Sequence, residues 1–363
     1  MASKILSVIV PSYNMEAYLP KCLGSLVIDD QELLEKLDVI VVNDGSKDRT
    51  SEITHGFERE HPRVFRVIDK GNGHYGSCIN AALPVACGEY VKVLDADDCV
   101  DTQGFKRLLE VLCEELGRND GAADLVATDY VSVNPNGDML TRSNFGFGEG
   151  ATTLDEQGKD GTRLTIHAIC YRTENLRRIG YRQSEGVPYT DTEWIIEPMT
   201  TVRRLRFIPV VVNRYLVGRD GQTVDIKEVS KNFQVILDIT MMLVERYGTN
   251  SSACEATAIG YYRNQIIFML RLSYFCGLFG RDGVRMNGNL KLFDEHLSLF
   301  PFFYHAAEGF SCGPNRFPFK YVAFYRKHGN GTIWHLRKKL NDLNSWLAKV
   351  IHHFRGRRRR FDP

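Results

Sequence analysis

Short apolar, β-branched runs recur at residues 5–10, 38–43, 64–68 and 90–94. Each is closed off by polar or glycine-bearing residues, the mark of strands buried on both faces. Between them, residues 15–26, 52–60 and 77–85 carry helical spacing, with Ser46 and Asp48 as capping candidates for the second helix. The order βαβαβαβ up to about Asp98 predicts an α/β fold: a mostly parallel sheet flanked by helices. Beyond it, residues 105–116 read as a helix, residues 125–133 and 207–212 as strands, and the polar, glycine-rich stretch 144–161 as loop. From 229 to 247 and from 253 to 279 the period becomes helical. The expected organisation is an α/β domain over 1–220, a mainly helical C-terminal region over 221–332, and a tail over 333–363. In the tail Leu336, Leu340, Leu343, Leu347, Val350 and Phe354 share one helical face, basic residues take much of the other, and Arg357–Arg360 follow. A basic amphipathic helix of this kind suits either an anionic membrane surface or a protein surface.

Composition narrows the function classes. Lys plus Arg number 46 against 45 Asp plus Glu, so net charge suggests no nucleic-acid partner. The 9 cysteines are odd in number and form no C-x-x-C pair, which argues against a zinc ribbon or disulfide scaffold and for a reduced, cytoplasmic setting. The N-terminal apolar run is too short for a secretory core and meets Pro11 at once. The longest apolar stretch, 266–279, is broken by Arg271, so no membrane-spanning helix is expected.

Three features carry chemistry. Asp95, Asp97 and Asp98 crowd the end of the fourth strand. Their repulsion and desolvation are relieved by a hard divalent cation, for which carboxylate oxygens are the preferred ligands. The alternative is a solvated acidic turn capping the next helix. Asp44, in Asn43-Asp44-Gly45-Ser46 at the end of the second strand, can accept from a base or ribose at the same sheet edge, or simply cap a helix. Gly71-Asn72-Gly73-His74-Tyr75-Gly76 matches the G-x-G-x-x-G of dinucleotide-binding enzymes. It lies outside the first βα turn, where that fingerprint belongs, and the first turn, Pro11-Ser12-Tyr13-Asn14, has no glycine.

Taken together, SVIVPSYN, VIVVNDGSKDRT, the glycine-rich loop running into SCINAAL, and YVKVLDADD resemble the family-2 inverting glycosyltransferases over about the first hundred residues, and more weakly to about Gln222. The resemblance implies a GT-A fold with donor and metal at the carboxyl edge of the sheet. It implies that Pro11, Tyr13 and Asn14 line the nucleotide pocket and that Asp44 binds the base, usually uracil. Lys70, Gly73 and Asn80 would approach the nucleotide. Asp95-Ala96-Asp97 matches the D-x-D signature, with Asp95 toward the ribose and Asp97 on Mn²⁺ or Mg²⁺. The family's base is an Asp, often written E-D. Here Asp191 takes that place, the preceding Glu is Thr190, and Glu193 remains a rival. Arg219 would bind phosphate, and Trp194 would pack on a sugar face or in the core. His74 and His167 have acceptor-side placements by the same analogy.

The implied activity is metal-dependent, inverting transfer from a nucleotide-sugar, expected to be a UDP-sugar, to a saccharide or lipid-linked acceptor. Cell-surface polysaccharide or glycolipid synthesis is the expected setting, in the cytoplasm or at the inner face of the plasma membrane. The alternatives are a nucleotidyltransferase, a dehydrogenase or a non-catalytic nucleotide-sugar-binding protein.

Overall fold

A computed structural model describes residues 3–148, 150–156, 163–219, 232–250, 256–279, 283–312 and 319–329. The tail helix and its arginines therefore lie outside the described residues. Contacts divide the chain into a first unit, Met1–Asp220 with Cys254–Ala258 and Gly356–Pro363, and a second, Gly221–Ala253 with Ile259–Arg355.

The first unit is built on β1 (Leu6–Ser12), β2 (Leu37–Asn43), β3 (Phe65–Asp69) and β4 (Tyr90–Val93). They run parallel in the order β3-β2-β1-β4. Every residue of β2 is buried, as its unbroken apolar run requires of a strand covered on both faces. Leu6, Val8 and Val10 of β1 share one cluster with Val39 and Val41. That cluster takes in the apolar stripes of α1 (Leu19–Leu26) and α5 (Thr102–Leu116), including Leu23, Phe105 and Leu109. The intervening strand residues turn to the opposite face, where α4 (His74–Ala82) packs on β1 and β2.

Beyond β4 the sheet becomes mixed. β8 (Ile169–Arg172) inserts antiparallel between β4 and β6 (Leu125–Val133), and β9 (Leu205–Leu216) runs parallel to β6. The two-residue β5 (Cys99–Val100) lies antiparallel against β9, and β7 (Met139–Arg142) forms a hairpin with β6. The first expected helix is shorter than its pattern. Residues 15–18 form a turn, and the helix starts at Leu19 with Pro20 at its first turn, where a missing N–H costs nothing. β5, of two residues, β7, mostly exposed, and β8 escape sequence analysis because each is short and none follows a clear strand–helix alternation.

α3 (Thr50–Glu60) is fastened to the edge strand by an imidazole clasp. His55 bonds Glu58 through Nδ1 and Asp69 of β3 through Nε2, each at 2.7 Å. Asp69 also accepts from Asn43 Nδ2, at 2.7 Å.

The second unit contains helices Phe233–Asn250, Gly283–Leu297, Pro301–Glu308 and Tyr321–His328, with Ala256–Phe279 from Ile259 onward. Arg326 binds Asp294 at 2.8 Å and lies 3.5 Å from the Tyr304 ring centroid, while Tyr274 also donates to Asp294. Arg271, which breaks the longest apolar run, is exposed and sits over the Phe310 ring. Among the described residues no helix is long and apolar enough to cross a membrane.

The clasp generates a pH dependence. Hydrogen bonds to Asp69 and then Glu58 raise the His55 pKa above its ordinary value. A raised folded pKa contributes its full stability below the unfolded value, about 6.5, and loses it as pH rises through the folded one. His55→Gln is therefore expected to lower the thermal midpoint more near pH 6 than near pH 9. An equal loss at both pH values in parallel melts would remove the imidazolium from the account.

Candidate active site

Parallel pairing brings four strand ends to one edge. Ser12 of β1 pairs with Asn43 of β2, and Asn43 with Asp69 of β3. The loops that follow β1 and β2 then tie to each other. Asn14 donates its backbone N–H to Ser46 Oγ at 3.0 Å and accepts from Lys47 at 2.8 Å. Glu16 accepts from the backbone N–H of Arg49 at 2.9 Å, and Asp48 accepts from that of Glu16 at 3.0 Å. Asn14 has φ 53°, a left-handed turn that asparagine tolerates. Pro11 is partly buried, whereas Tyr13 is 45% exposed at the mouth of this edge.

Asp44 is 3% exposed and caps no helix. Its Oδ1 accepts from Lys70 Nζ at 2.6 Å and from the Gly73 backbone N–H at 3.0 Å. Ser77 Oγ lies 3.5 Å from the same oxygen and 2.7 Å from Lys70 Nζ. These bonds all converge on Oδ1. Asp44, Lys70 and Gly73 are thus brought together as expected. Asn80 is not. Its side chain donates to the Gln183 carbonyl at 2.8 Å and to Glu185 at 2.7 Å, and accepts from the Gln183 N–H at 2.9 Å.

The glycine-rich loop has a different reason for each glycine. Gly73 presents its N–H to Asp44, and its carbonyl accepts from the Gly186 N–H at 2.9 Å. At Gly76 a Cβ would overlap the Ser184 carbonyl oxygen. At Gly71 a Cβ would meet nothing within 4 Å. The loop is a close-packing surface for residues 183–186.

The acidic residues after β4 separate into distinct environments. Tyr75 Oη donates to Asp95 Oδ1 at 2.9 Å. Burial, and next the Asp97 charge, push Asp95 up to about 7. Asp97 forms an ion pair with Arg219 Nε, and the Arg219 guanidinium lies 5.6 Å from the Tyr18 ring centroid. Asp98 is 2% exposed; its Oδ1 accepts from the Leu216 N–H at 2.8 Å. Burial and the Asp95 charge raise Asp98 well above the carboxylate range. Its Oδ2 is buried with no hydrogen-bond partner, 3.4 Å from His167 Nδ1. Ala96 is buried in the core between them.

His167 stacks on Tyr215 at 4.3 Å, and burial depresses it to about 3, leaving a neutral imidazole. Lys92 is fully buried beneath and donates to the His167 carbonyl at 2.6 Å. Ligand atoms of Asp95, Asp98 and His167 lie within 4.8 Å of one another. Two carboxylates and a neutral imidazole, one oxygen orphaned, fit a divalent cation such as Mn²⁺ or Mg²⁺. The resemblance put the metal on Asp97, Asp95 toward the ribose and His167 on the acceptor side; here Asp95, Asp98 and His167 come together, while Asp97 pairs with Arg219.

Asp191 is the first residue of α7 (Asp191–Ile196). Burial raises its pKa, and its charge acts on both Asp95 and Tyr75, which places it at the acidic cluster. Thr190 precedes it with no side-chain cap bond. Glu193 is 0% exposed and accepts from the Ser184 N–H at 3.0 Å, which ties it to the loop. Trp194 is fully buried, edge-on to Tyr171 and Tyr181, so it packs in the core and reaches no sugar. His74 is exposed and outside the cluster. Tyr75, Lys92 and Gln183 were missed by sequence analysis. Only Tyr75, inside the glycine motif, carried any local signal.

The family model described as glycosyl transferase family 2 matches residues 7–195. An uncharacterized glycosyltransferase, EpsJ of Bacillus subtilis, is 37% identical over 106 residues, covering 29% of this chain and 30% of its own. The chondroitin synthase of Pasteurella multocida is 32% identical over 136 residues, covering 38% of this chain and 13% of its own. The matches thus span well under half the length of these relatives. Among solved structures, S. aureus TarS 1-349 in complex with UDP-GlcNAc aligns with TM-score 0.62 at 19% identity, covering 94% of this chain and 92% of that one. At that identity the likeness is one of fold, a GT-A-like mixed sheet with flanking helices and a helical C-terminal region.

The loop packing yields a steric test. Gly76→Ala is expected to cost about 1–3 kcal/mol of stability through overpacking. Gly71→Ala, with open space around it, is expected to be nearly neutral. Denaturant titration of both variants checks this, and equal stabilities would contradict the close approach of residues 183–186.

Proposed function

This chain belongs to glycosyl transferase family 2, and we propose that it transfers a sugar, with inversion, from a UDP-sugar to an acceptor hydroxyl. The observation that carries the reading is a convergence. Asp44 and the acids Asp95 and Asp98, with His167, gather at one end of the sheet, and the charge of Asp191 at the start of α7 acts on Asp95.

In this reading Asp44 accepts from the base, while Pro11, Tyr13 and Asn14 border the nucleotide. Lys70 and Gly73 hold Asp44 in place. Asp97, beside Asp95, Asp98 and His167, would hold Mn²⁺ or Mg²⁺. The cation would offset charge on the departing diphosphate. Arg219 leaves Asp97 for phosphate oxygens, which suit its forked donors. Asp191 takes the acceptor hydroxyl proton as that oxygen attacks the anomeric carbon opposite UDP. Its raised pKa makes it a stronger base than an exposed carboxylate. Glu193 is spent on the Ser184 N–H and serves the loop.

The acceptor is proposed to be a saccharide or a lipid-linked sugar of surface polysaccharide or glycolipid synthesis. The basic tail would place the enzyme at anionic lipid on the cytoplasmic face. Two features weigh against the dehydrogenase alternative: Gly73 and Gly76 are engaged by residues 184–186, and Asp95 and Asp98 cluster with His167 within 4.8 Å.

Asp97→Asn is expected to remove at least roughly tenfold of the UDP affinity gained with Mn²⁺, and to leave metal-free affinity nearly unchanged. Calorimetry with and without Mn²⁺ reads this. Intact Mn²⁺ dependence in Asp97→Asn, with loss in Asp98→Asn, would confine the cation to the buried cluster.

The reaction itself is tested by UDP release from a panel of UDP-sugars with Mn²⁺. Asp191→Asn is expected to lower turnover by roughly a hundredfold or more, with UDP binding preserved. Full turnover in Asp191→Asn would sink the assignment of the base, and no UDP release from any UDP-sugar would sink the donor class.

A further inference from the structure

Thr190 stands where the resemblance leads one to expect an acid before the base, and its hydroxyl does not cap α7. An N-cap threonine ordinarily accepts from a backbone N–H of the first helical turn. Here Thr190 is fully buried and Oγ1 instead accepts from Gln183 Nε2 at 2.9 Å.

Gln183 is only 3% exposed, and its polar groups are heavily engaged. Its Oε1 accepts from Tyr181 Oη at 3.1 Å. Its backbone N–H and carbonyl are both held by the Asn80 side chain, at 2.9 Å and 2.8 Å. Asn80 is on α4, the helix that opens with the glycine-rich loop around Asp44. The neighbouring residue Ser184 is pressed against Gly76 and held through its N–H by Glu193 of α7. Tyr189, just before Thr190, is held at φ 65°, an uncommon conformation for a bulky residue and one that surrounding contacts must sustain. A continuous hydrogen-bonded path therefore runs from the donor-side helix to the residue preceding Asp191: Asn80, Gln183, Thr190.

We propose that Gln183, anchored by Asn80, is a positioning residue for the reaction: through its hydrogen bond to Thr190 it sets the start of α7 and so aims the Asp191 carboxylate. It does the work of orientation that a charged neighbour would otherwise do, with a neutral amide that adds no charge beside an already crowded acidic cluster. The inference rests on the reading of Asp191 as the base. Gln183 itself touches neither substrate nor cation in this account.

The test uses the full chain with Thr190→Val, Thr190→Ser, Gln183→Leu, the double variant Thr190→Val/Gln183→Leu, and Asp191→Asn. UDP release is followed with the UDP-sugar panel and Mn²⁺, UDP affinity by calorimetry, and stability by thermal melts. Thr190→Val and Gln183→Leu are each expected to lower kcat roughly ten- to a hundredfold, with KM for the donor within about twofold, because a misaimed base slows transfer and leaves the donor pocket alone. Thr190→Ser keeps the hydroxyl and is expected to retain most of kcat. The double variant is expected to be about as slow as Thr190→Val alone, since the bond is already gone.

A purely structural pair would behave otherwise: kcat would recover with stability in the double variant, or the two single losses would multiply. Either result overturns the proposal, as does full kcat in Thr190→Val. If Thr190→Val is fully active while Asp191→Asn is dead, the positioning role fails and the base survives. If Asp191→Asn is active, the underlying reading fails first.

Discussion

The parallel pairing of β1 with β2 and β4 is the constraint on which the site depends. Its register sets Ser12 against Asn43 and Ile9 against Val93, so all three strands end toward the same edge, β4 three residues short of the others. Polar groups that cannot stay in the apolar interior are delivered together at that edge, and they must find partners there. Asn14, Ser46, Asp48 and Glu16 satisfy one another. Asp44 is satisfied on one oxygen by Lys70 and Gly73. The acids after β4 are only partly satisfied: Asp98 Oδ2 is buried without a hydrogen bond. An apolar core that crowds incompletely satisfied carboxylates together raises their pKa values, a cost that a cation could relieve.

The second half of the site is supplied by a different physical means. No strand end carries Asp191. It is held by a loop, residues 183–186, that lies so close to α4 that only glycine fits at position 76. Main-chain bonds from Gly186 to Gly73 and side-chain bonds from Asn80 fix that loop. Asp44 and the loop before Asp191 therefore share one element, the glycine-rich turn and its helix. The motif that looks locally like a pyrophosphate cradle works here through its packing.

Sequence analysis singled out the acidic residues after β4, Asp44 with Lys70 and Gly73, and Asp191, because each sits at a strand end, in a loop after one, or at a helix start, where local patterns are strong. It placed Asn80 toward the nucleotide but gave no sign of the bonds its side chain makes to Gln183 and Glu185, 103 and 105 residues away. No local pattern encodes a bond of that separation. The same holds for Lys92, which reads as an interruption in a strand and proves to be a buried donor to the His167 carbonyl. Glu193 and Trp194 carried suggestive chemistry in their residue types. Full burial decides that one anchors a loop and the other fills the core.

The alternation of short apolar runs with helical spacing determined the parallel α/β core by itself, since a strand covered on both faces must be apolar at every position and a surface helix at only some. Order and spacing of the strand-end motifs likewise determined the family, which extends over residues 7–195. Tertiary structure alone decided the insertion of β8 between β4 and β6, because a four-residue strand is too short to announce its partners. It alone decided which acids share a buried gap with His167 and which one faces Arg219. Those outcomes turn on desolvation and on contacts between residues distant in the chain, and both quantities come into existence only when the chain has folded.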